Sequence, residues 1–405
     1  MKVLLAHKFH KYTGGADVFY LEVGRVLEKN GHDVAYFSTV DEETIDNDYK
    51  KYFIKAPDFK SKSILKKINA FSKVPYNFDA KKNFTKLIED FKPDIIHAFG
   101  VITQISPSIF DVAKKMNVPL VVSMNDYKHI CPNYKLFHHN KICEDCKMNR
   151  FYKAVINKCS HDSFSFSLAS SIESYLHSWL NIYRKNINLF LFASDFMAYK
   201  TEDFWGAKTF KWGKLMNPFN IPIREPNTLK GNYGLYFGRL IEEKGVHLII
   251  ESLKLHKDLP FKIVGNGPQL DELQKMVELY NLKNIEFLGS KWGDELDDIL
   301  YNAKFVIVPS IWHENFPYVI LQSFAAGVPV IGSSVGGIPE LLGEERGVLF
   351  DPQKIESLSE AISFLCNDEI NSERIGKKGR NYVLENFNDE NFYQSIIINY
   401  NSIIK

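Results

Sequence analysis

Short runs of β-branched and aromatic residues alternate with amphipathic stretches from one end of the chain to the other, and this alternation restricts the fold most. Val3–Ala6, Val34–Phe37, Asp94–His97, Leu120–Ser123 and Leu189–Ala193 read as buried strands in the first half. Tyr233–Phe237, Phe261–Val264, Ile285–Leu288, Phe305–Val308 and Val328–Ile331 do so in the second. Helical periodicity lies between them: Val18–Asn30 ended by Gly31, Val246–Leu255, Gln269–Tyr280, and Phe316–Ala326 ended by Gly327. Strand–helix alternation implies parallel sheets with right-handed crossovers, hence an α/β protein. The chain has 405 residues, too many for one ordinary core, so two domains are expected. The break falls near 216–232, where Asn217-Pro218, Ile221-Pro222 and Glu225-Pro226-Asn227 interrupt any period. The expected division is 1–216, 217–385, and a helix over 386–405 that returns to the first domain. Two doubly wound domains facing each other would bring the carboxyl ends of both sheets to one cleft, where ligands bind in such folds.

Composition narrows the function. Hydrophobic residues are 45% and charged residues 24%, which excludes disordered, collagen-like and coiled-coil classes. Fifty Lys+Arg against 49 Asp+Glu leave a net charge of +1, which argues against a dedicated nucleic-acid binder. No apolar run approaches the roughly 18 residues of a membrane helix. Met1–Ala6 runs straight into His7-Lys8 and reads as a strand, not as a signal peptide. Five cysteines without an export signal point to a reducing compartment, so a cytoplasmic location is expected.

The residues that carry chemistry lie mostly in the second half. A strand runs into Gly238-Arg239, and Glu242-Glu243-Lys244-Gly245 opens a helix. Arg239 and Lys244 therefore stand at a strand's carboxyl end beside free helix N–H groups, a setting that suits a diphosphate. Two surface cations near a turn is the plainer alternative. A second strand ends at Pro309, and a polar loop carries Glu314 before the next helix, with Gln322 eight positions on. A carboxylate and an amide there can grip sugar hydroxyls; a capping acid and a solvated amide is the alternative.

Two further features are open to more than one reading. Cys131, Cys143, Cys146 and Cys159 include one C-x-x-C, which fits a four-cysteine structural zinc site closing the loop 131–159; reduced thiols or a disulfide fit as well. Cys366, on an apolar helical face, reads as core. From Lys50 to Lys86 there are eleven Lys and two Asp interleaved with apolar residues. That stretch suits an anionic membrane surface, a solvated lysine-rich face, or, least well, nucleic acid.

Gly238-Arg239 with Glu243-Lys244-Gly245, Gly265-Asn266-Gly267-Pro268, Glu314-Asn315-Phe316-Pro317, Ala325-Ala326-Gly327-Val328-Pro329-Val330 and Gly336-Gly337-Ile338-Pro339-Glu340 resemble the donor-binding half of retaining GT-B glycosyltransferases of family 4 (glycosyl transferases group 1). Gly14-Gly15-Ala16-Asp17, Asn30-Gly31-His32-Asp33-Val34 and Lys92-Pro93-Asp94-Ile95-Ile96-His97 extend the resemblance through the first half. It implies two Rossmann-like domains and a nucleotide-sugar donor. Arg239 and Lys244 would bind the diphosphate and Glu314 the donor sugar. Asn315, Phe316, Gly15, Gly238 and Asn266 would line the donor, and His97, Asn125 and Asp126 would be polar groups of the acceptor side. A buried structural role for His97 is the alternative. Two positions depart from the family: Gln322 stands where relatives carry a ribose-binding glutamate, and Asn125 where many carry a histidine. The implied activity is retaining transfer of a sugar to a glycan or lipid-linked glycan in cell-surface polysaccharide synthesis, without a catalytic metal. The enzyme would be cytoplasmic, either free or peripherally attached to the inner face of the membrane. A non-catalytic nucleotide-sugar-binding protein of the same fold is the rival reading.

Overall fold

The computed structural model describes residues 1–57, 63, 73–219, 224–226 and 231–404. It divides into two compact units. The first comprises Met1–Leu136, Glu144–Pro218 and Asp389–Lys405, and the second Phe137–Cys143 and Phe219–Asn388.

The first unit is built on β1 (Lys2–Phe9), β2 (Asp33–Val40), β3 (Ile54–Lys55), β4 (Ile95–Phe99) and β5 (Leu120–Met124). A small antiparallel hairpin, β6 (Phe137–His138) and β7 (Lys141–Ile142), which groups with the second unit, interrupts the chain before β8 (Leu189–Phe192) and β9 (Trp212–Lys214) of the first. The sheet order is β3-β2-β1-β4-β5-β8-β9, parallel throughout. The middle stretches of its central strands are mostly apolar, as suits a sheet covered on both faces. Val3 and Leu5, with Ile95 and Val121, feed one core; Leu4 and Ala6, with Ile96 and Val122, feed the other. The helices are α1 (Gly15–Lys29), α2 (Phe78–Phe91), α3 (Ser108–Lys115), α4 (Tyr152–Ile156), α5 (Phe164–Trp179), α6 (Ile182–Asn186) and α7 (Asp195–Trp205). The Asn77 side chain starts α2 by accepting the Asp79 and Ala80 N–H groups at 3.0 and 3.1 Å, a cap worth about 1 kcal/mol.

The second unit carries β10 (Gly234–Phe237), β11 (Phe261–Val264), β12 (Ile285–Gly289), β13 (Phe305–Val308), β14 (Val330–Ser333) and β15 (Val348–Phe350). They are ordered β12-β11-β10-β13-β14-β15, again all parallel. Around them lie α8 (Val246–Leu253), α9 (Leu270–Leu279), α10 (Asp294–Tyr301), α11 (Tyr318–Ala325), α12 (Ile338–Leu342), α13 (Ile355–Asn367) and α14 (Glu369–Asn386).

The last helix, α15 (Asp389–Asn401), belongs to the first unit. Phe392, Ile396 and Tyr400 are buried in the core that α1 shares. Arg25 and Lys29 of α1 hold Asp389 at 2.6 and 2.7 Å. Those ion pairs are partly solvated, so burial of the three apolar side chains contributes more than they do to seating the helix. Residues 58–62 and 64–72, which carry four of the eleven lysines of the lysine-rich stretch, lie outside the described residues. In its described part Lys50 and Lys73 pair with Asp46 and Asp79.

Candidate active site

In each sheet the strand order reverses at its centre, and such switch points are where doubly wound folds bind ligands. In the second unit the switch lies between β10 and β13. The residues following these two strands, Gly238-Arg239 and Pro309–Glu314, therefore meet at the carboxyl edge of the sheet. Backbone packing there is close. A Cβ on Gly265, whose φ is +143°, would fall on the Gly238 carbonyl oxygen. One on Gly336, at φ +66°, would lie 2.5 Å from the Glu314 oxygen and 2.6 Å from its nitrogen. Only glycine fits such conformations and distances, so the two glycine turns press the loops together. The Gly337 N–H also donates to the Glu314 carbonyl at 2.7 Å.

These contacts fix one buried carboxylate. Lys244 donates from Nζ to Glu314 Oε1 at 2.5 Å, and the Ser310 hydroxyl donates to the same oxygen at 2.8 Å. Burial alone would raise the Glu314 pKa; the Lys244 charge and these hydrogen bonds outweigh it and hold the carboxyl below its ordinary value. Lys244 itself is partly exposed and lies over the Trp312 ring. Its ammonium has three protons, and Glu314 uses one. Arg239 is exposed just beyond β10, and its carbonyl accepts the Tyr236 hydroxyl at 2.8 Å. Asn266 is exposed after β11, and its carbonyl accepts the Leu240 N–H at 2.9 Å. Phe316 is buried and Asn315 half-buried behind Glu314, while Gln322 is half-buried on α11.

The first unit's switch point lies between β1 and β4, and it holds a pair that the sequence reading missed. His7 Nε2 meets Asp17 Oδ1 at 2.6 Å, and the Thr13 hydroxyl donates to the other carboxylate oxygen. Burial lowers the His7 pKa more than Asp17 raises it. Burial would raise that of Asp17, but the His7 and Thr13 hydrogen bonds outweigh it and lower it. The pair is therefore a carboxylate accepting from a neutral imidazole. Its signal was present in the sequence: a histidine at a strand's carboxyl end and an acid in the first turn after Gly14-Gly15. Gly15 is exposed at the start of α1.

His97 is not at a binding edge. It is fully buried in the middle of β4, with Nδ1 against the Tyr400 hydroxyl and Nε2 against Ser123 Oγ, both at 2.8 Å. Burial drives its pKa to about 3, so it is a neutral core link to α15. Asn125 and Asp126 follow β5. The Asn125 Nδ2 is buried and meets no acceptor. Asp126 reaches solvent, yet surrounding protein displaces enough water to raise its pKa against the opposing Lys128 N–H and the Lys128 and Lys8 charges.

The cysteines sit in different surroundings. Cys131 lies in the first unit's core and donates to Asn133 Oδ1 at 2.9 Å, whereas Cys146 and Cys159 pack with Phe151 and Ala154. Among the described residues no group of three or more His, Cys, Asp or Glu side chains is placed to hold a metal ion. Cys366 packs at the edge of the second unit's core, where burial pushes its thiol pKa up.

The glycosyl transferases group 1 model matches residues 220–382, and the glycosyltransferase family 4 model matches residues 13–208. The chain carries the two domains of a GT-B glycosyltransferase. An uncharacterized glycosyltransferase of Methanocaldococcus jannaschii is 32% identical over 152 residues, 37% of this chain and 43% of that protein. An uncharacterized 42.6 kDa protein in the cps region of Klebsiella pneumoniae is 26% identical over 88% of this chain and 92% of its own length. Among solved structures, Anabaena HepE in complex with UDP and glucose superposes with a TM-score of 0.67 at 17% identity, covering 100% of both chains. In this glycosyltransferase the group 1 match contains Arg239, Lys244 and Glu314. The family 4 match contains the His7 partner Asp17, with Asn125 and Asp126.

Proposed function

We propose that the second unit binds a nucleoside-diphosphate sugar at the β10/β13 switch point, and that the enzyme transfers the sugar to a hydroxyl of a glycan or lipid-linked glycan with retention of configuration. The observation that carries this reading is the Lys244–Glu314 pair. It sets a buried, ionised carboxylate beside a cation that keeps two free protons and some access to solvent. Arg239 and Lys244 would hold the diphosphate, and Glu314 would accept from a donor-sugar hydroxyl. As the bond from the anomeric carbon to the diphosphate oxygen breaks, the acceptor oxygen bonds that carbon on the same face. The acceptor proton passes to the departing diphosphate. Charge grows on the diphosphate in the transition state, so both cations act most strongly there.

The buried Asn125 donor without an acceptor is the kind of group that a ligand oxygen completes, and we assign it and Asp126 to acceptor or sugar contacts in the first unit. HepE was solved with UDP and glucose, which makes UDP the first donor nucleotide to try. The test is a thermal-shift screen of UDP, GDP and ADP, followed by transfer assays with the matching sugar donor and NMR of the product anomer. Binding of one nucleoside diphosphate, with turnover and a retained anomer, is the expected outcome. An inverted anomer would refute the retaining mechanism. Binding without any donor hydrolysis or transfer would favour the non-catalytic reading that Asn125 and Gln322 suggest.

A further inference from the structure

Helix α5 is built inside out. Its inward face is polar. Ser171 Oγ donates to the Phe151 carbonyl at 2.9 Å, and Ser167 Oγ accepts the Ser160 N–H at 2.9 Å. Glu173 pairs with Lys128 at 2.8 Å, and His177 Nε2 bonds the Pro75 carbonyl at 3.1 Å. All four of these helix side chains are buried. The outward face carries Phe164, Leu168, Ile172, Tyr175, Leu176 and Trp179, a stripe at helical spacing that is exposed along its whole length. Trp179 is 81% exposed and Phe164 58%. A surface helix of a soluble domain normally shows the reverse pattern. Tyr152 and Ile156, one turn apart on α4, are exposed as well. A contiguous apolar face of this kind marks an interaction surface.

The charges around it identify what it meets. The only charged residue within α5 is Glu173, and that faces inward. Between Lys147 and Lys185 the chain has six Lys and Arg (Lys147, Arg150, Lys153, Lys158, Arg184, Lys185) against two acids, Asp162 and the buried Glu173. Lys147 is paired with Asp203 at 2.7 Å, and the chain as a whole is close to neutral, so the remaining five cations give the segments flanking this face a local positive excess. Tyr and Trp rings on an uncharged stripe, flanked by Lys and Arg, match the interface of an anionic bilayer: apolar bodies enter the acyl boundary and cations meet the headgroups.

We propose that the outward face of α5 docks the protein onto an anionic lipid surface. This site is distinct from the lysine-rich stretch at Lys50–Lys86, and it does not depend on the transfer reading, because it is measured without turnover. Full-length protein is sedimented with phosphatidylcholine vesicles, with and without phosphatidylglycerol, over a range of salt. We expect binding to the phosphatidylglycerol vesicles that weakens as salt rises. L168S/I172S/W179S should lower the partition coefficient about tenfold or more. K153E/K158E should weaken binding to the anionic vesicles alone. Both variants replace surface side chains, and an unchanged unfolding midpoint verifies that each is folded. Absence of binding at low salt, or binding that L168S/I172S/W179S leaves intact, overturns the proposal. A dimer in sedimentation velocity that the same three substitutions disperse, without vesicle binding, also overturns it and assigns the face to a second copy.

Discussion

The two switch points have the same topology and opposite electrostatics. Each centres on a carboxylate beyond the central strands. In the second unit Glu314 is neutralised by Lys244, a partly exposed cation with protons to spare. In the first unit Asp17 is satisfied by the fully buried and neutral His7. A lysine can be shared with an incoming anion at small cost, because its ammonium carries full charge and three donors. A neutral imidazole already committed to a carboxylate has no charge to offer. The proposed diphosphate site therefore belongs to the second unit, and the first unit's pair acts as a rigid fixture behind Gly14-Gly15.

The largest expected effect breaks the second site at its cation. Lys244→Ala should lower turnover about 10²–10³-fold, the usual cost of one preorganised charge-stabilising donor. His7→Gln should change it far less, so assaying both variants separates a shared cation from a fixed pair. Next comes the glycine framework. Gly265→Ala puts a methyl on the Gly238 carbonyl at a positive φ and should cost about 2–3 kcal/mol in denaturant unfolding.

Glu314→Gln probes the carboxylate without disturbing the diphosphate clamp. We expect roughly tenfold poorer use of the donor sugar, with free nucleoside diphosphate bound almost as in wild type. The folded pKa of Glu314 is depressed, so its contribution to stability is present above its ordinary value of 4.5 and is lost as pH falls through the lower folded value. The stability difference between wild type and Glu314→Gln should therefore shrink on acidification below about pH 4.5. A difference that is flat with pH would show that Lys244 does not hold the carboxylate.

The smallest effect on donor binding is expected at the core histidine. With a folded pKa near 3 against an ordinary 6.5, His97 leaves the native state neutral while the unfolded chain takes up a proton. Its contribution is present above pH 6.5 and falls as pH drops toward 3, with a slope approaching 1.4 kcal/mol per pH unit, roughly. His97→Gln should remove that slope in urea titrations and leave donor binding unchanged. A loss of donor binding would return His97 to the binding edge.

The fold was legible where apolar runs are long enough to fill a buried strand. All ten predicted strands are present, several with ends displaced by one to three residues. Ile54–Lys55, Trp212–Lys214 and Val348–Phe350 were not read, because two- or three-residue edge strands leave no periodic trace. Residues 152–186 were missed for a different reason. In α5 the apolar positions face out and Ser and Glu face in, so the pattern that normally marks a buried face points the wrong way. The placing of Arg239, Lys244 and Glu314 near one strand edge followed from strand ends and glycine turns. Their partners did not, because Lys244 and Glu314 are 70 positions apart and only the β10/β13 pairing joins them. His97 was drawn to the edge by its place at the end of a predicted strand. The strand runs two residues further, and its pleat turns the ring into the core shared with Tyr400.

The central claim is that Lys244, held by Glu314, grips the diphosphate of a nucleotide sugar. Isothermal titration of the preferred nucleoside diphosphate, and of its monophosphate, into wild type and Lys244→Met tests it directly. Diphosphate binding should be about tenfold weaker in the variant, with monophosphate binding nearly unchanged. Equal diphosphate affinity in the two proteins would contradict it.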